Sequence, residues 1–123
     1  MLEYAVAERL VERSYVPWHD LNKYYSVEIT IDGLEYVYQY KIWNMESKSM
    51  FVLVKGNSGI LPWLKVGDIL NMKYYSTDIV HPFENLDTEI QYITHQTQGR
   101  LQGHYLVSLR LLIDTTLFLY KKN

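Results

Sequence analysis

The sequence predicts an all-β chain, a small antiparallel barrel of about six to seven strands behind an N-terminal arm that is helical or irregular. Three observations predict it. Short segments of alternating apolar and polar residues recur from Val27 to Leu111, with turn residues between them and no long helical stretch. The segment from Glu89 to Leu111 reads as one long hairpin with its turn at Gly99-Arg100. Tyrosine accounts for 12 of 123 residues, a type that suits pleated, half-buried surfaces.

The arm comes first. Leu2, Ala5, Val6, Arg9, Leu10 and Arg13 recur at helical spacing, so residues 2–13 are expected to form a short amphipathic helix. Residues 14–23 read as an irregular connector, because Pro17 denies helix continuation. Val27, Ile29 and Ile31 then alternate with Glu28, Thr30 and Asp32. Asp32-Gly33 is a two-residue hairpin signal. The return strand places Leu34, Tyr36, Tyr38, Tyr40 and Ile42 on one face. Asn44 to Ser49 is polar and turn-like. Met50–Val54 is a short apolar strand, and Lys55–Gly59 a loop. Val66-Gly67-Asp68 turns into a strand over Ile69–Tyr75. Residues 76–87, with Pro82, read as a loop. In the long hairpin Ile90 faces Leu109, Tyr92 faces Val107 and Thr94 faces Tyr105. The other face pairs Gln91 with Ser108 and Glu89 with Arg110, the last worth about a few tenths of a kcal/mol. Asp114-Thr115-Thr116 breaks the pattern, and Leu117–Tyr120 reads equally as a strand or a short helix. The expected division is an arm and connector over 1–21, a barrel over 22–113 and a tail over 114–123.

Composition narrows the function classes. A chain of this length hides roughly two-thirds of its unfolded surface, enough for one core. Cysteine is absent, which excludes disulfides and thiolate metal sites. The net charge of −2 argues against non-specific nucleic-acid binding. The first residues have no basic start or apolar run of the secretory kind, and no apolar run approaches the roughly 20 residues that span a bilayer. The expectation is a cytoplasmic protein with no membrane insertion. No nucleophile elbow, glycine-rich phosphate loop or Cys–His pair is present, so an enzyme is not expected. His95 and His104 are expected to be cross-strand neighbours, but two histidines without a carboxylate or thiolate make a poor metal site. No metal and no cofactor is expected. Trp18 and Trp63 each follow a proline and read as rim plugs, or as anchors for a partner.

The order of four features carries a family resemblance. Arg9-x-x-x-Arg13 precedes the first strand. Asn44-Met45-Glu46-Ser47-Lys48-Ser49-Met50 follows the second. Leu61-Pro62-Trp63-Leu64-Lys65-Val66-Gly67-Asp68 is a Leu-Pro-x-Leu-x-Val-Gly-Asp turn, and Gly103–Leu109 returns the closing hairpin. Over residues 22–113 the chain resembles the PilZ domain, a bacterial barrel that receives cyclic di-GMP. In that family an RxxxR segment and a [D/N]xSxxG turn grip the dinucleotide. The resemblance therefore implies a bacterial signalling adaptor with Arg9, Arg13, Asn44 and Ser47 as ligand-binding residues. The arginines would fork onto phosphates or stack on guanine. The resemblance also implies that ligand fastens the arm against the barrel, changing the surface offered to a partner. Aligning Ser47 with the motif serine puts Met45 at the acidic position and Met50 at the glycine, so the turn departs from the pattern. That departure favours an alternative, a nucleotide-independent interaction module acting on a motility, pilus or polysaccharide component. A third reading is an OB-like barrel that stacks single-stranded nucleic acid on tyrosines, against which net acidity weighs.

Overall fold

The computed structural model describes residues 13–15, 23–44 and 50–114. They form one antiparallel 8-stranded sheet. Its strands are β1 (Arg13–Tyr15), β2 (Tyr24–Thr30), β3 (Val37–Lys41), β4 (Trp43–Asn44), β5 (Met50–Lys55), β6 (Ile69–Ser76), β7 (Phe83–His95) and β8 (His104–Asp114). The spatial order is β3-β2-β6-β7-β8-β5-β4, with β1 attached to β8. This is the all-β barrel the alternation predicts.

The two ends of that path are halves of one bent segment. β3 and β4 are separated only by Ile42, whose N–H donates to the Tyr25 carbonyl at 3.0 Å. Before the bend the segment pairs with β2, from Val37↔Thr30 to Lys41↔Ser26. After it, Trp43 pairs with Phe51 and Asn44 with Met50. The barrel is thus nearly closed around Ile42. Farther along, no backbone ladder joins β3 to β5 among the described residues. Tyrosines bridge that seam instead. The Tyr40 hydroxyl is hydrogen-bonded to the Ser58 side chain, and a Cβ on Gly59 would lie 3.1 Å from the Tyr38 hydroxyl.

The interior is filled by alternate residues of every long strand. Val27, Ile29, Met50, Val52, Val54, Met72, Ile90 and Val107 are buried together, with Tyr74 among them. Tyr74 meets its polar need inside: its hydroxyl lies 2.7 Å from Thr88 Oγ1, which in turn donates to the Leu86 carbonyl at 3.2 Å. β8 is buried on both faces. Leu106 lies between Leu53 and Thr94, and Ser108 between the larger Phe51 and Tyr92, and both are buried.

Several boundaries differ from the sequence reading, each for a physical reason. Arg13–Tyr15 is a strand rather than the end of a helix and the start of a connector, because it pairs with Leu112, Ile113 and Asp114. Three residues are too few to show a period. Asp114 accordingly continues β8 instead of breaking it. The loop expected over 76–87 shrinks to 77–82, and β7 starts at Phe83. The inward positions there include Glu84, bonded by the Tyr24 hydroxyl at 2.7 Å, and Thr88. Such partnered polar residues disguise the alternation.

In the hairpin, Glu89↔Arg110 and Ile90↔Leu109 hold as predicted. A β-bulge then intervenes at Gln91, and Tyr92 pairs with Ser108, Ile93 with Val107 and His95 with Tyr105. The pairings expected for Gln91, Tyr92 and Thr94 are displaced by one residue. Gln91 is accommodated by a hydrogen bond, Ser108 Oγ donating to its Oε1 at 3.1 Å. His95 therefore lies opposite Tyr105, not His104, and stacks on it with ring centres 4.5 Å apart. At Asp32-Gly33 the turn forms, with Leu34 N–H donating to the Ile31 carbonyl and Gly33 at φ 93°. The ladder, however, stops at Thr30↔Val37, so Tyr36 leaves the face expected to hold it with Tyr38 and Tyr40 and is 68% exposed.

One glycine ties two turns together. Gly56 N–H donates to the Gly103 carbonyl at 2.8 Å, and a Cβ on Gly56 would meet the same oxygen at 2.8 Å. Gly56→Ala is expected to push the β5 turn off the hairpin tip and cost about 1–3 kcal/mol. Urea denaturation checks this, and an unchanged midpoint would show that the close approach is not needed.

Candidate functional site

Of the four residues implied by the resemblance, Arg13 and Asn44 lie among the described residues. Asn44 ends β4, where it is exposed and paired with Met50, which pairs in turn with Leu109. It is a strand residue, not part of a turn, because the bend at Ile42 delivers it to β5. Arg13 opens β1 and pairs with Asp114. Asp114 lies five residues along β8 from Leu109, about 17 Å at a strand's rise. Asn44 is therefore level with the middle of β8 and Arg13 with its C-terminal end, and their backbones do not touch. Arg9 and Ser47 lie outside the described residues, as do residues 2–12 of the helix predicted over 2–13, Trp18 and the segment Leu117–Tyr120.

Two side chains beside Asn44 escaped the sequence reading. Lys41 and Trp43 flank Ile42 and both face outward, with Lys41 Nζ 3.9 Å from the Trp43 ring centre. The arrangement offers an aromatic plane and a cation next to an amide. Their i, i+2 spacing carries the signal, since one strand face repeats every second residue. The bend that brings them to Asn44 is not visible in spacing.

A second feature is the loop between β6 and β7. Ile79 and Val80 are 94% and 77% exposed at its tip, next to the half-exposed Phe83. The tip is held from below. Val80 N–H donates to Asp78 Oδ1 at 2.9 Å, Asp78 N–H to Ser76 Oγ at 2.9 Å, and Thr77 N–H to the Lys23 carbonyl. The Val80 N–H bond is the main influence lowering the Asp78 pKa. The His81 N–H and the charges of His81 and Lys23 add to it, against a smaller desolvation effect. Lys23 also approaches Glu84 at 3.5 Å.

The tyrosines divide between packing and surface. Tyr24 and Tyr74 are buried, whereas Tyr25, Tyr36 and Tyr92 stand exposed. Trp63 is half exposed at the rim, its ring edge 3.8 Å from where a Cβ on Gly33 would lie. Among the described residues no three His, Asp or Glu side chains converge as metal ligands, and no helix is long and apolar enough to cross a membrane. No protein-family model matches the chain, and no curated protein or solved structure matches it either.

Proposed function

We propose that the chain is a non-catalytic signalling adaptor, a divergent PilZ-like barrel that receives cyclic di-GMP between β1 and β4. The observation that supports the reading is the cation and aromatic ring beside Asn44: Lys41 Nζ lies 3.9 Å from the Trp43 ring centre, and Arg13 opens β1 farther along β8. Arg9 and Arg13 supply charge for the phosphates, and Asn44 and Ser47 supply hydrogen bonds to a base edge. Trp43, with Lys41 beside it, adds a face on which a guanine stacks.

Isothermal titration with cyclic di-GMP, with GTP as the control, tests the reading. The expected result is saturable heat for the dinucleotide alone. Replacing Arg9 and Arg13 together by alanine is expected to weaken it about a hundredfold or more, since two charge-assisted contacts go. Unchanged affinity in that variant would remove both arginines from the site.

The apolar loop tip favours a second reading, a protein-interaction module that needs no nucleotide. Two almost fully exposed branched side chains on a hydrogen-bonded loop suit a docking contact. Absence of heat with cyclic di-GMP moves the weight to this reading.

A further inference from the structure

The seam between β3 and β5 opens into a cleft of about 410 Å³, within the range of small-molecule sites. Tyr40, Leu53, Lys55, Asn57, Ser58 and His104 line it. It lies away from Asn44 and farther still from Arg13: the pair Lys55↔His104 is five residues along β5 from Met50↔Leu109, about 17 Å.

Its chemistry has one sign. Lys55 brings a positive charge, and among the described residues no carboxylate lines the cleft. Among the described residues no ion pair includes Lys55. Asn57 adds an amide donor. Leu53 and the Tyr40 ring provide an apolar wall. Tyr40 is pinned there by its bond to Ser58, and burial raises its phenol pKa, so the hydroxyl stays neutral. His104 also lines the cleft, and its Nδ1 is buried with no hydrogen-bond partner among the described residues. The contact of Gly56 with Gly103 holds the Asn57-Ser58 turn beside His104, so the cleft is built by the fold.

We propose that this cleft binds a small organic oxyanion, a phosphate monoester or carboxylate on a flat or aliphatic body. Lys55 neutralises the oxyanion, Asn57 and His104 donate hydrogen bonds to it, and Leu53 with Tyr40 covers the apolar body. The site is independent of cyclic di-GMP binding and stands or falls without it.

An NMR titration of the full chain tests the proposal, using phenyl phosphate, benzoate and inorganic phosphate as probes. Expected are saturable shifts at Lys55, Asn57, Ser58 and the His104 ring with phenyl phosphate, benzoate or both. The stronger of the two should bind about tenfold tighter than inorganic phosphate, because only it buries a ring. Lys55→Gln should weaken binding about tenfold with the amide spectrum otherwise unchanged. His104→Gln should weaken it as well. Unsaturated shifts spread over many surface lysines, saturable shifts only at Arg13 and Asn44, or full affinity in Lys55→Gln would overturn the proposal.

Discussion

Ile90→Ala is expected to lower the unfolding free energy by about 2–5 kcal/mol, the cost of a buried branched side chain plus the cavity it leaves. Ile90 is fully buried and faces Leu109 across the hairpin. Its backbone also anchors the Val66-Gly67-Asp68 turn, since Ile90 N–H donates to the Asp68 carbonyl and Gly67 N–H to the Ile90 carbonyl. The site therefore cannot collapse freely, which favours the upper part of the range. Against a total of about 5–15 kcal/mol for a domain, this is a large loss. Urea denaturation followed by tryptophan fluorescence measures it. Two companion variants read the bulge. Ile93 packs on the core and Tyr92 is exposed. Ile93→Ala should thus cost more than Tyr92→Ala. The reverse order would restore the unbulged register.

A second large effect is expected at alkaline pH. Tyr74 is fully buried, and burial raises its pKa far above the ordinary phenol value, partly offset by the bond to Thr88. The unfolded chain ionises this phenol near pH 10. Between that pH and the raised folded value, the native state holds a proton that the unfolded state has lost. Stability from this group is therefore complete below about pH 10, and above it falls by about 1.4 kcal/mol per pH unit. Tyr40 is shifted in the same direction by partial burial, and solvent screening makes its share smaller. Tyr74→Phe should cost about 0.5–1.5 kcal/mol at neutral pH, through loss of one hydrogen bond. It should also flatten the alkaline slope. Urea midpoints at pH 8, 10 and 11 decide the matter; equal slopes in the two proteins would mean that Tyr74 ionises freely in the folded state.

What could be read from the residues follows from what leaves a period. Glu89, Ile90, Leu109 and Arg110 were legible because alternation and charge agree on one register. The bulge at Gln91 was not, since one inserted residue leaves the composition unchanged and merely exchanges Tyr92 for Ile93 at the core. The start of β7 was hidden because Glu84 and Thr88 point inward, and their partners, Tyr24 and Tyr74, come from other strands. β1 was hidden because its three residues show no period and their partners lie about a hundred positions away. Of the candidate site, Arg13 and Asn44 were named only through the family resemblance. The bend at Ile42 that carries Asn44, with Lys41 and Trp43, to the edge of β5 is a tertiary event. The cleft between β3 and β5 depends on a ladder that does not form, and no local pattern encodes it.

The most direct test of the receptor reading is an NMR titration of the intact chain with cyclic di-GMP. The account predicts saturable shifts at Arg13, Asn44 and the Trp43 indole, with Lys55 and His104 unmoved. No saturable shift at millimolar ligand, or shifts confined to residues far from β1 and β4, would contradict it.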